Sequence, residues 1–212
     1  MTSSEGFTAE VLEIDCEQEA DRICGRMRKL LARSFRRRGF VVAVSGGIDS
    51  SVTLALAVKA VGPERVLALL MPETHSAPET LDLSRRVAER FKVAHEYENI
   101  SPVLEAVGFY ERYAQAVRRV IPDYGRDWKS KIVLPSLLDH GGFRLFSVVA
   151  EKPDGTQVEA RLPLDAYLEI VAATNFKQRT RKMLEYYHAD RLNYAVAGTP
   201  NRLEYDQGFF VK

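Results

Sequence analysis

Cysteine is scarce in this 212-residue sequence: there are two, Cys16 and Cys24, close together near the N-terminus. Their spacing fits no zinc or dithiol motif and offers no disulfide framework, so both read as plain helix residues in a reducing cytosol. An excess of charge is lacking as well. Lys+Arg number 30 against 29 Asp+Glu, so no global field recruits nucleic acid or a membrane surface. No apolar run approaches the length of a membrane span, and no basic-then-apolar leader opens the chain. These absences predict a cytoplasmic protein with no nucleic-acid and no membrane partner. Internal repeats, low-complexity tracts and any Ser-His-Asp or Cys-His set that would supply a covalent nucleophile are missing too. At 46% hydrophobic content, a chain of this length can bury one sizeable core, with room for an appendage.

What the sequence does hold is concentrated at Val41-Val42-Ala43-Val44-Ser45-Gly46-Gly47-Ile48-Asp49-Ser50-Ser51. Four apolar residues suit a buried strand, Ser-Gly-Gly cannot continue it, and residues 48–61 are small or apolar enough for a buried helix. A strand, a glycine turn and a helix aim unpaired N–H groups and the positive end of a helix dipole at a phosphate. Gly46 and Gly47 allow close approach and positive φ. Ser45, Ser50 and Ser51 add hydroxyls, and Asp49 stands where a nucleotide-bound Mg²⁺ would sit. The loop is neither a Walker A nor a Gly-x-Gly-x-x-Gly fingerprint. The alternative is an ordinary strand–turn–helix whose serines cap the helix.

Around this stretch the chain predicts alternating elements. Residues 8–38 carry an apolar stripe for helices, ending in Arg36-Arg37-Arg38, cations suited to a helix C-terminus, and Gly39 at the place of a left-handed cap. Residues 65–71 read as a second buried strand, 77–91 as a helix with Leu81, Val87, Ala88 and Phe91 inward, 93–100 as a more polar strand, and 101–120 as a helix opened by Ser101-Pro102. A βαβαβα order implies a parallel sheet with right-handed crossovers. Residues 122–163 interrupt it, and within them 143–150 and 156–162 flank Pro153-Asp154-Gly155 as a β-hairpin. A helical stretch follows Pro163, with a break expected at Thr174-Asn175. The helix over 176–189 places Asn175 and Arg179 one turn apart, facing one partner, with Arg181 and Lys182 pointing elsewhere. His75, in the loop after the second strand, receives no role. A last buried strand, 194–197, leads into a polar loop with Thr199 and Glu204. Asp49 and Glu204, with phosphate oxygens and water, suit octahedral Mg²⁺ on ATP.

The Ser-Gly-Gly-x-Asp-Ser loop resembles that of the PP-loop ATP pyrophosphatases. Asn175-x-x-x-Arg179-x-Arg181-x-Met183, Gly198-Thr199-x-Asn201-x-x-Glu204 and Gly208-Phe209-Phe210-x-Lys212 look like the signature succession of NAD synthetases. The resemblance covers most of residues 39–121 and 173–212. It implies a Rossmann-like parallel sheet flanked by helices, of the adenine nucleotide alpha-hydrolase type, carrying a β-hairpin insertion. It also implies ATP-dependent amidation of deamido-NAD to NAD with ammonia, through an acyl-adenylate, with release of AMP and pyrophosphate. Carried over by position, Ser45, Gly46, Gly47, Asp49, Ser50, Ser51 and Thr199 bind ATP. Asn175, Arg179 and Lys212 bind deamido-NAD, and Asp49 and Glu204 ligate Mg²⁺. No residue is singled out as a catalytic group. A homodimer is implied by the resemblance alone.

The expected organisation is an N-terminal helical segment over 1–38 and a PP-loop domain over 39–212, with the insertion at about 122–163. By resemblance, a Gly-Asp-Gly segment, a further ATP-contacting lysine and substrate-binding residues would follow Lys212, where this sequence stops. No glutaminase domain is attached, so ammonia would be free or delivered. Two alternatives remain at this stage: ATP pyrophosphate cleavage that amidates or thiolates a different acceptor, and a non-catalytic nucleotide-binding module.

Overall fold

A computed structural model describes residues 13–133 and 146–207. Strands β1 (Phe40–Ala43), β2 (Val66–Leu70), β3 (Ala94–Tyr97) and β7 (Ala195–Ala197) form a parallel sheet in the order β3-β2-β1-β7. Neighbouring residues of a strand point to opposite faces, and in β1 and β2 both faces are buried, whereas β3 is exposed. Val41 and Leu67, Leu69 and Met71 enter one core, whereas Phe40, Val42, Val66, Ala68 and Leu70 enter the other. That two-sided burial is why β1 and β2 are continuous apolar runs. Helices α1 (Cys16–Lys29), α2 (Ile48–Val61) and α3 (Pro78–Arg90) cover the second core. Helices α4 (Ser101–Ala106), α5 (Phe109–Arg118) and α6 (Leu164–Leu192) cover the first. The sequence-predicted Leu81, Val87 and Phe91 pack against buried Ala88, as expected.

The sheet changes direction at β1. From there the chain winds through α2 to β2 on one side, while β7 pairs with β1 on the other, Phe40 opposite both Val66 and Ala195. Ligands bind in the crevice beyond the carboxyl ends of strands at such a reversal. The insertion forms a second, antiparallel sheet of β4 (Lys129–Val133), β5 (Ser147–Glu151) and β6 (Gln157–Arg161). Its β5–β6 pair is the expected hairpin, closed by the Gly155 N–H on Lys152 O and by Thr156 N–H on the Asp154 carboxylate, with Gly155 at φ +83°. Residues 143–145 of the expected first arm lie outside the described residues. Strand β4 was not expected. It is held where Tyr113 and Tyr124 both bond the Ser130 hydroxyl, each at 2.9 Å.

Three local expectations are corrected. The helix expected over 101–120 is two, α4 and α5, because Gly108 takes φ +70° between them. The break expected at Thr174-Asn175 does not occur, and α6 runs unbroken for 29 residues. Thr174 donates its hydroxyl to Ile170 O, a local bond a helix accommodates. The left-handed cap before β1 is Arg36 (φ 52°), not Gly39. Gly39 is needed for a different reason, since a Cβ there would lie 2.2 Å from Arg65 O and 2.7 Å from the Tyr194 ring.

Candidate functional site

Val44 leaves β1 still buried, and the chain then turns at Ser45-Gly46-Gly47 before α2 begins. Gly46 holds φ +79°, and a Cβ there would sit 2.6 Å from the Leu83 Cβ of α3, so both its conformation and the close approach require glycine. Gly47 caps α2 with an extended backbone and no side-chain cap. The first-turn N–H groups of a helix have no partner within it and carry its positive end. The hydroxyls tie the loop to itself: Ser45 N–H donates to Ser50 Oγ at 3.2 Å, while Ser50 and Ser51 donate to Gly47 O at 3.0 and 2.8 Å. Ser50 is buried, and Ser45 and Asp49 are exposed. The result is a stiff turn presenting backbone donors, the form that suits a phosphate rather than a nucleophile.

A cavity of about 410 Å³ opens beside this loop. Its walls come from Ser45 and Ser50, the end of β2 (Met71, Pro72), the first half of α3 (Thr80, Ser84), the middle of α6, and the loop after β7 with Thr199 and Glu204. Glu204 also closes a reciprocal pair with Asn201: its carboxylate accepts the Asn201 N–H, and its own N–H donates to Asn201 Oδ1, each at 3.0 Å. This caps α7 (Arg202–Gln207) and fixes the carboxylate at the rim. Among the described residues no group of three or more His, Cys, Asp or Glu could hold a metal by itself. Of the two carboxylates expected to hold Mg²⁺, Glu204 lines the cavity and Asp49, in the first turn of α2, does not.

The sequence-predicted residues separate here. Ser45, Ser50, Thr199 and Glu204 line the cavity, whereas Gly46, Gly47, Asp49, Ser51, Asn175 and Arg179 are not in its wall. Lys212 and the 208–212 motif lie outside the described residues. Arg181 and Lys182, expected to point elsewhere, are in the wall with Gln178 and Glu185. At about 100° per residue, 178, 181, 182 and 185 fall within about 100° of the surface of α6, and Asn175 lies only about 20° beyond Lys182. Arg179 is about 40° further round, beside exposed Leu168 and Tyr186.

The face of α6 toward the sheet carries a charge ladder that sequence spacing did not reveal. Glu73, just past β2, accepts from Lys177 Nζ at 2.8 Å, from Tyr110 Oη at 3.1 Å and from the His75 N–H at 2.8 Å. Burial pushes its carboxyl pKa up, but the Lys177 and His75 hydrogen bonds outweigh that and hold it below the usual glutamate value. Glu185, 2% exposed, is met by Lys182 Nζ at 2.6 Å; there burial prevails and raises the pKa. Arg181 feels both carboxylates, while burial draws its own pKa down. Further along, Arg191 Nε donates to His188 Nδ1, so that nitrogen carries no proton and Nε2 donates to Glu98 at 3.0 Å. His75 lies against the rings of Phe109, Tyr110 and Tyr113, and burial lowers its pKa. No helix among the described residues is long and apolar enough to cross a membrane.

Comparison with known proteins adds a family likeness. The profile described as NAD synthase matches residues 19–121 and 155–212. The chain is 56% identical over 206 residues to the NH(3)-dependent NAD(+) synthetase of Rhizobium meliloti (strain 1021), covering 97% of this chain and 61% of that protein. With the protein of that name from Mesorhizobium japonicum the identity is 52% over 202 residues, covering 95% and 63%. The chain therefore spans about three-fifths of the length of these relatives. Among solved structures it resembles the NMN synthetase of Francisella tularensis (TM-score 0.60, 20% identity, 94% of this chain and 60% of that one). It also resembles the NH3-dependent NAD synthetase of Campylobacter jejuni in complex with nitrate (TM-score 0.60, 21% identity, 93% and 62%). At these identities the structures speak for the fold alone.

Proposed function

The chain belongs to the NAD synthase family, and from that premise we propose that it amidates the carboxylate of deamido-NAD with ammonia at the expense of ATP. The carboxylate oxygen attacks the α-phosphorus and pyrophosphate leaves. Ammonia then adds to the acyl carbon, loses a proton, and AMP departs with the bond to oxygen. No protein nucleophile is required. The chain's part is to bind, orient and neutralise charge. The observation that carries the reading is the cavity at the sheet reversal, walled by the Ser45–Ser50 turn on one side and Thr199 and Glu204 on the other.

In this reading the Gly46–Ser51 turn and the start of α2 hold the phosphate chain, with Thr199 at the nucleotide's side. Asp49 and Glu204 would hold Mg²⁺, which supplies charge neutralisation on the phosphates. Asn175, Arg179 and Lys212 receive the dinucleotide. The exposure of Arg179, with Asn175 half-buried a turn before it, supports a substrate site shared with a second copy. The same side of α6 exposes Leu164, Leu168, Met183, Tyr186 and Tyr187, the kind of contiguous apolar face that a homodimer covers. An N-terminal helical segment over 1–38, here packed on α2, and the antiparallel insertion as an excursion from the PP-loop domain belong to the same reading.

The test is an end-point assay with ATP, Mg²⁺, ammonium and deamido-NAD, quantifying NAD and AMP. Equal, ammonium-dependent yields are expected. AMP without NAD would favour a different acceptor, a reading that residues 122–154, unmatched by the family profile, keep in view. Folded protein that binds ATP and forms neither product would favour a binding module.

A further inference from the structure

The phosphate-binding turn carries no cation. Ser45-Gly46-Gly47-Ile48-Asp49-Ser50-Ser51 contributes hydroxyls, backbone donors and one negative charge, whereas the pyrophosphate end of ATP is strongly anionic. Among the described residues lining the cavity, the cations are Arg181 and Lys182, both from α6. Their surroundings differ. Arg181 is half-buried between Glu73 and Glu185 and feels both charges. Lys177 is already engaged by Glu73 at 2.8 Å with its side chain 19% exposed. The three cations Lys177, Arg181 and Lys182 thus stand against the two buried carboxylates Glu73 and Glu185. Lys177 pairs with Glu73 and Lys182 with Glu185, so the group as a whole keeps one net positive charge, and Lys182, its side chain 43% exposed, carries part of it to the cavity wall.

The Lys182–Glu185 pair is lopsided in a way an ordinary helix-surface pair is not. Its acid is 2% exposed and its base opens to the cavity. A buried carboxylate is a poor source of stability, since its desolvation offsets the attraction it gains. It does hold an ammonium in one place. An ammonium has three donors, and Glu185 occupies one of them at 2.6 Å. The others remain for acceptors in the cavity.

We propose that Lys182 is a binding residue for the pyrophosphate portion of ATP, in the wall of the cavity that the phosphate turn also lines, and that Glu185 is the residue that positions it. This rests on the reading of the cavity as an ATP site. Lys182 supplies the charge that the turn lacks, and Glu185 removes the rotamer freedom that a lysine would otherwise lose on binding.

Calorimetric binding of ATP, ADP and AMP to the whole chain tests this, with unfolding curves to show that each variant is folded. Lys182→Ala should weaken ATP about 10- to 100-fold, as expected for one charge-assisted contact. ADP should weaken less, and AMP by under about threefold. Lys182→Arg should recover most of the ATP affinity. Glu185→Gln should weaken ATP by about 3- to 10-fold and add nothing further in the Lys182→Ala background. Unchanged ATP affinity in Lys182→Ala, or equal losses for ATP and AMP, would overturn the role of Lys182 while leaving the ATP site standing. An additive Glu185→Gln effect would overturn the positioning role. Folded wild-type protein that binds none of the three nucleotides would instead remove the ATP reading of the cavity.

Discussion

The two buried carboxylates that flank Arg181 are alike in chemistry and opposite in state. Glu73 is 8% exposed and Glu185 2%, yet the pKa of the first is held down and that of the second is pushed up. The difference lies in the donors. Glu73 gathers an ammonium, a phenol and a backbone N–H from three separate segments, which satisfies a charged carboxylate. Glu185 is met by one lysine from its own helix turn. The Glu73 end of α6 is therefore a clamp that fastens the loop after β2 to α5 and α6, and the Glu185 end is a fitting turned toward the cavity.

The largest expected effect is at Glu73. Glu73→Gln leaves Lys177 half-buried above the Phe109 ring without its counter-ion, and should destabilise the fold by about 3 to 5 kcal/mol in urea unfolding. Tyr110→Phe removes one of the three donors and should lower stability by about 1 kcal/mol, measured the same way. Glu185→Gln should leave stability at pH 7 equal to or above that of wild type, because the buried carboxylate is costly when charged and Lys182 keeps water and an amide oxygen. Losses at Glu185 equal to those at Glu73 would erase the contrast.

Acid titration sharpens it further. The contribution of Glu73 is complete above the ordinary glutamate value of 4.5 and is lost as pH falls through its lowered pKa. The stability gap between wild type and Glu73→Gln should therefore widen from pH 3 to pH 6. Glu185 has the opposite sign. Burial makes its charged form costlier in the folded chain than in the unfolded one, so stability is lost as pH rises above 4.5 through the raised pKa. Glu185→Gln should match wild type at pH 3 and gain relative to it at higher pH. Parallel pH dependences in the two variants would contradict the assignment.

This contrast also marks what could be read in advance. The strand–turn–helix at Ser45 to Ser51 was legible because its geometry is local: the residues are consecutive, and Gly46 announces the positive φ it adopts. The strands were legible because β1 and β2 are buried on both faces and so contain no polar interruption. The ladder on α6 was not, because Lys177 meets Glu73 104 residues away and His188 meets Glu98 90 residues away. Spacing put Asn175 and Arg179 on one stripe of a helix, but which stripe faces the cavity is decided by packing against α5 and the sheet. The Arg181 and Lys182 stripe was missed for that reason. Thr174-Asn175 looked like a break because both residues compete locally for the backbone, and tertiary packing overrode them. Gly108 was the reverse case, a breaker inside an apparent helix whose warning was available.

The pairing of β7 with β1 has a consequence for how the molecule is made. Phe40 meets Ala195 and Val42 meets Ala197, so the crevice between these strands needs segments from both ends of a long stretch of chain. Closing so distant a contact is slow compared with the local steps that build β1, α2 and β2. On the ribosome, the Ser45–Ser51 turn emerges early and must wait for Thr199 and Glu204 before the cavity has both its walls. A nascent chain halted in α6 would show an exposed β1 edge and no cavity. Any ligand of the finished cavity would add its stabilisation only at that last step and leave the earlier ones untouched.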